Sequence, residues 1–172
     1  MEEAGLKLGD ALGGQVIIGI VNAVTTVFAI WKIDHFGRKK LLNLGVTGMF
    51  FALLAVGFLF FINQTNGFWL IALIITFITF FEIGFGPVIW VLLSEIYPTK
   101  VRGRAMSVAT LMLWVGTAII GQVVPWMLEK LSPAVTFFVF ALCCIPVPLI
   151  LRLIPETKGK SLEDIEKAWQ IE

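Results

Sequence analysis

Five long apolar runs organise this chain: Ala11 to Trp31, Leu41 to Ile62, Phe68 to Leu93, Ala105 to Trp126 and Ala134 to Leu151. A hydrocarbon core of roughly 30 Å takes about 20 helical residues to cross, and each run meets or nearly meets that length. The pattern therefore predicts five membrane helices. The polar stretches between them are short, roughly 5 to 12 residues, which makes neighbouring helices antiparallel and leaves no room for a soluble domain between spans. The chain divides into a five-helix bundle over 1–154 and a tail over 155–172. In the tail, Ser161 to Asp164 reads as the capping box of a short helix. Leu162, Ile165, Ala168 and Trp169 would form its one apolar face.

Composition agrees with the pattern. Hydrophobic residues make up 58% of the 172 positions and charged residues 15%, with a mean hydropathy of +0.93, which excludes an ordinary water-soluble globule. The first run is preceded by Glu2 and Glu3 rather than by a basic cluster, so it reads as a retained helix and not as a cleaved signal. The net charge of +1 conceals an asymmetry: of 13 Lys and Arg, Lys7 and Lys130 fall on one side of a five-crossing topology and the other eleven on the opposite side. By the positive-inside rule the expected topology has the N-terminus outside and the C-terminus in the cytoplasm. Cys143 and Cys144 are adjacent within the fifth run and read as packing residues; His35, the single histidine, has no Cys or second His beside it and reads as a surface loop residue. No cofactor or metal site is expected. No nucleophile, base and orienting partner are grouped anywhere, so the chain is not expected to be an enzyme.

The polar residues inside or beside the runs carry the candidate chemistry. Glu82 lies within the third run with no basic neighbour in sequence. A charge at bilayer depth costs about 2.5 kcal/mol or more, so it is expected to face a cavity or a partner. Gly84, Gly86 and Pro87 follow it and break the helix, and Trp90 follows the break. Broken helices are tolerated in membranes where neighbouring helices or water satisfy the freed backbone groups. Asn22 is a second polar group at mid-membrane, able to donate and accept. Asp34 and Glu95 lie at helix C-terminal ends, where the helix dipole disfavours a carboxylate. Arg38 follows the first by four residues, and Arg102 and Arg104 follow the second, so these charges are either solvated loop residues or ion pairs. Gly13, Gly14, Gly19 and Ala23 in the first run, and Gly116, Ala118 and Gly121 in the fourth, are candidates for close helix approach.

Three segments, "IDHFGRKKLL" (33–42), "FFEIGFGPVIWVLLSEIYPTKVRGRAMS" (80–107) and "PETKGKSLEDIE" (155–166), together resemble the C-terminal half of a sugar porter of the major facilitator superfamily. The resemblance implies an all-α polytopic membrane bundle corresponding to helices eight to twelve of that family. It implies substrate contacts from Asn22, Glu82 and Trp90, with Phe81 and Trp114 as flanking aromatics, and a cytoplasmic salt-bridge network of Asp34, Arg38, Glu95 and Arg102. It further implies an integral protein of the cytoplasmic or plasma membrane, in contact with the lipid bilayer and a monosaccharide and with no nucleic acid. The sequence is expected to be a fragment or truncated form of a monosaccharide transporter that contributes one wall of the central site and does not transport alone. The alternative is a non-transporting membrane protein that pairs with a separate N-terminal half or a full-length relative. His35 stands where many members carry Arg or Lys, and Leu113 where several carry Asn or Gln.

Overall fold

A computed structural model describes residues 8–64, 67–154 and 156–159. No strand occurs among them. In a hydrocarbon medium an unpaired backbone N–H or C=O costs several kcal/mol, so apolar runs of this length close their hydrogen bonds internally as helices. The order is α1 (Leu8–Phe36), α2 (Arg38–Phe61), α3 (Gly67–Gly84), α4 (Pro87–Ile96), α5 (Arg102–Lys130), α6 (Pro133–Cys144) and α7 (Pro146–Leu153). Helices α3 and α4 together make one span, as do α6 and α7, which gives five stretches among the described residues that are long and apolar enough to cross a membrane. The tail helix expected over 161–169 lies outside the described residues.

Both broken spans have a proline at their second helix's first position, where a missing N–H interrupts the ladder least. The sequence marked the Gly84 to Pro87 break but not the one at Pro146. The connections are tighter than expected. Gly37 alone separates α1 from α2; its φ of +87° is a conformation that favours glycine. His35, expected in a loop, belongs to the last turn of α1.

Helix α2 holds the bundle together, packing on α3 along one side and on α6 along another. Its buried positions include Leu42, Gly45, Val46, Met49, Ala52 and Val56. At the α2–α3 crossing the two backbones meet: a Cβ on Gly45 would lie 2.6 Å from Gly84 Cα and 2.8 Å from the Phe80 carbonyl oxygen. Gly48 accepts the Phe80 ring and Gly57 the Phe138 ring, and Phe60 stacks on Phe137 with centroids 5.6 Å apart. The glycines singled out for close approach in the first and fourth runs do not serve it in this bundle. A Cβ on Gly13, Gly14, Gly19, Gly116 or Gly121 would meet nothing within 4 Å. Helix α5 packs on α6 and α4 but has Met127 as its one buried side chain, leaving most of its apolar perimeter uncovered.

Near the basic end, Ile33, Leu41, Leu42, Val88, Leu92 and Leu151 form a buried cluster drawn from α1, α2, α4 and α7. Four helix ends therefore converge, and their unsatisfied backbone groups are capped across elements. Helix α2 has no acidic residue in its first turn and no side-chain cap of its own. Glu156 supplies one from outside, accepting from the backbone N–H groups of Arg38 (3.2 Å) and Lys39 (3.3 Å). Lys39 Nζ in turn donates to the carbonyls of Arg152 and Ile154 at the end of α7, and Lys158 Nζ donates to the His35 carbonyl at the end of α1. Replacing Glu156 with alanine is expected to cost about 1 kcal/mol, the usual value of a lost N-cap. A lower midpoint in thermal unfolding of the detergent-solubilised chain checks it, with unchanged melting counting against the cap.

Candidate functional site

Two polar constellations stand out from the apolar bundle. The first joins α1 to α3 just before the helix break. Glu82 is 7% exposed, and both of its carboxylate oxygens are engaged. Asn22 Nδ2 donates to Oε1 at 2.8 Å, and Thr26 Oγ1 donates to Oε2 at 2.8 Å. The acid expected to face a cavity or a partner thus faces the partner helix, and burial of its polar oxygens is offset by two hydrogen bonds. Asn22 is exposed, although its amide reaches the buried carboxylate. The position also depends on the break. A Cβ on Gly86 would collide with the Glu82 carboxylate and lie 3.0 Å from the Glu82 carbonyl oxygen, so a side chain at 86 would push the acid off α1.

Thr26 was not among the residues singled out from the sequence. It lies four positions after Asn22, on the same face of α1, and that spacing was the available signal. A threonine in a helix usually returns its hydroxyl to the carbonyl four residues back. Thr26 also does this, reaching the Asn22 carbonyl oxygen at 2.8 Å.

The aromatic candidates are placed less uniformly. Trp90 is exposed on α4, one turn past Pro87. Phe81 stacks between Phe77 and Phe85 and lines an apolar cavity of about 600 Å³ that α3 shares with α2, α5, α6 and α7. One residue along a helix turns the side chain by about 100°, so Phe81 and Glu82 address different neighbours. Cys143 and Cys144 line the same apolar cavity as free thiols, Cys144 half-buried and Cys143 exposed rather than packed. Trp114 is 62% exposed on the bare perimeter of α5.

The second constellation lies at the basic end. Arg38, the first residue of α2, forms a bidentate pair with Glu95 near the end of α4: Nη2 to Oε1 is 2.8 Å and Nε to Oε2 is 3.1 Å. Their side chains are only 11% and 21% exposed. Each charge sits at the unfavourable end of its own helix, a cation at an N-terminus and an anion at a C-terminus, and the pairing relieves both. Bidentate geometry and partial burial place this pair above an exposed one in strength. Arg102, expected in the same network, instead donates to the Tyr97 carbonyl at 3.3 Å and closes the turn between α4 and α5. As the first residue of α5 it has this local acceptor within reach five positions back. The side chain of Asp34 lies outside the described residues. Glu156, which the sequence presented only as part of a motif, joins this end of the bundle through the backbone of Arg38.

Comparison with known proteins adds to this geometry. The family described as "Sugar (and other) transporter" matches over residues 1–169. The arabinose-proton symporter of Bacillus subtilis is 41% identical over 154 residues, covering 89% of this chain and 33% of the symporter. The glucose transporter GlcP of Staphylococcus epidermidis is 37% identical over 167 residues, with 95% and 37% covered. Among solved structures, the inward-open xylose transporter XylE of Escherichia coli aligns with a TM-score of 0.85 at 32% identity, over 93% of this chain and 36% of that one. A double-tryptophan variant of XylE aligns at 0.91 and 30% identity, over 98% of this chain and 37% of that one. The chain spans about a third of the length of the curated relatives it matches.

Proposed function

Because this chain belongs to the Sugar (and other) transporter family, an integral membrane family of helical bundles, we propose that it corresponds to helices eight to twelve of a monosaccharide transporter and forms one wall of the central sugar site. The observation that carries this reading is the bridge from exposed Asn22 to buried Glu82, set directly before a broken helix whose second part carries exposed Trp90 one turn past Pro87. Sugar recognition needs paired donors and acceptors for hydroxyls and an aromatic face for the ring's C–H groups, and these residues offer both. Relatives named for arabinose and glucose support a monosaccharide as the substrate class. Phe81 and Trp114 flank the site in this proposal, Phe81 by shaping the apolar cavity behind α3.

Arg38 and Glu95 act as the cytoplasmic latch, joined by Asp34, while Arg102 closes the turn that follows α4, with the C-terminus in the cytoplasm and the N-terminus outside. The bundle over 1–154 does the work within the membrane, and the tail over 155–172 contributes Glu156 to the latch. Alternating access needs two bundles rocking about a site between them, so the sugar site is completed by the part of the transporter to which this chain's relatives devote the remaining two thirds of their length.

The test is complementation in liposomes. The chain is reconstituted alone and together with the complementary N-terminal portion of the Bacillus subtilis arabinose-proton symporter. Monosaccharide uptake is expected from the pair and none from the chain alone. Uptake by the chain alone would overturn the one-wall reading. No uptake from a pair that demonstrably assembles favours instead a non-transporting protein that associates with transporter halves.

A further inference from the structure

We infer that the groove between α2 and α7 binds an anionic phospholipid, with one acyl chain lodged among its apolar side chains and the phosphate held between Lys40 and Arg152. The groove shares no residue with the sugar site, and the inference does not depend on that reading.

The groove encloses about 310 Å³ beside the break between α6 and α7. Thr47, Phe50 and Phe51 line it from α2, and Ile145 and Pro148 from the start of α7; no residue of α1, α3, α4 or α5 does so. Its one hydroxyl, on Thr47, is returned to the Asn43 carbonyl at 2.7 Å, so the surface offered is apolar. Thr47 lies nine residues into α2, about 14 Å from its start at 1.5 Å per residue, which is hydrocarbon depth for a span of this length. A helix about 10–12 Å across is too broad for a hollow of this volume. A single hydrocarbon chain fits it.

The charges at the basic end select the headgroup. Three cations open α2. Arg38 is paired with Glu95, and Lys39 Nζ is held by the carbonyls of Arg152 and Ile154, which draws the start of α2 to the end of α7. Lys40 and Arg152 are both exposed, and neither side chain has an acidic partner among the described residues. Lys40 stands seven positions before Thr47 and Arg152 four after Pro148, so each lies on the groove-lining face of its helix, at the groove's basic end. Glu156 occupies the first N–H groups of α2, which leaves a phosphate to the two side chains. Long basic side chains rest their stems on apolar surface and place the charge at headgroup level. In the proposed orientation this end faces the cytoplasm, whose leaflet carries the anionic lipid and where basic pockets between helices receive its headgroups.

The test is native mass spectrometry of the detergent-solubilised chain, titrated with phosphatidylglycerol, with phosphatidylcholine of the same acyl chains, and with inorganic phosphate. One phosphatidylglycerol per chain is expected to be retained in preference to phosphatidylcholine, and inorganic phosphate should not compete. A photoactivatable group in the acyl chain should crosslink to Phe50, Phe51 or Ile145. Lys40→Gln combined with Arg152→Gln should weaken retention about thirtyfold. Thr47→Trp, which fills the groove and leaves both charges, should abolish it. All three positions are exposed, so none of these changes opens the core. Lys100→Gln removes an exposed cation from the turn between α4 and α5 and should change nothing. Equal retention of the two lipids, competition by inorganic phosphate, weakening by Lys100→Gln as large as that of the double variant, or full retention in Thr47→Trp would each overturn the site. A dimer of chains that Thr47→Trp dissociates would assign the groove to a second copy instead.

Discussion

Substitution of Gly45 by valine is expected to unfold the bundle where two helix backbones meet. The Cβ would meet backbone on the facing helix, Gly84 Cα at 2.6 Å and the Phe80 carbonyl oxygen at 2.8 Å, and a backbone cannot move aside as a flexible side chain can. Overpacking a core usually costs 1–3 kcal/mol; with main chain on the receiving side the loss is expected to reach about 3 kcal/mol or more, a large share of a domain's total stability. The measurement is the melting midpoint and the monodisperse yield of the chain in detergent. Gly116→Val is the control, since its Cβ meets nothing within 4 Å. Similar behaviour of the two variants would show that the α2–α3 crossing is not the element that holds the bundle.

Loss of the Arg38 guanidinium is expected to loosen α4 from the start of α2. Removing one partner of a fully buried pair costs about 3–5 kcal/mol, and an exposed pair is worth about 0–1 kcal/mol. The mostly buried, bidentate pair of Arg38 and Glu95 falls between them, so Arg38→Ala is expected to cost about 2 kcal/mol, or roughly thirty-fold in a local opening equilibrium. Amide exchange over residues 92–97 of the chain should accelerate accordingly. In the assembled carrier, on the proposed reading, the same change moves the population towards inward-open states. Lys130→Ala supplies the contrast, because its 3.4 Å pair with Glu129 is exposed and its removal should change neither quantity. Unaltered exchange at α4 in Arg38→Ala would remove the basis for the latch.

Much of this architecture can be read from the residues. The five apolar runs lie within a few positions of the observed spans because lipid leaves the backbone almost no alternative to a helix. Gly86 and Pro87 announce their break locally, and Glu82 announces a partner because an unpaired acid at that depth is so costly. What the chain does not announce is which faces meet. Gly45 and Gly84 are separated by 39 positions, and nothing in either neighbourhood says that the two meet each other while Gly116 and Gly121 meet no neighbour. Glu156 caps a helix more than a hundred residues away, a relation set only by the convergence of helix ends. Arg102 shows the opposite limit. Its charge suggested a distant carboxylate, yet a carbonyl five residues back was nearer. Thr26 was overlooked because a helical threonine has an adequate partner in its own helix, and only the arrival of α3 gives its hydroxyl a second one.

The one-residue link at Gly37 has a mechanical corollary. Two spans joined with no slack cannot slide past one another along the bilayer normal, and with Glu156 and Lys158 fastened across their junction they form a single stiff hairpin. On the proposed reading, any rocking of this wall is taken up as rotation elsewhere, with the joint at Gly86 and Pro87 as the place to bend. Because Glu82 ties the stub before that joint to the hairpin and Arg38 clasps Glu95, α4 on the proposed reading is a ten-residue lever with Trp90 near its fulcrum and Glu95 at a tip that swings only when that pair opens.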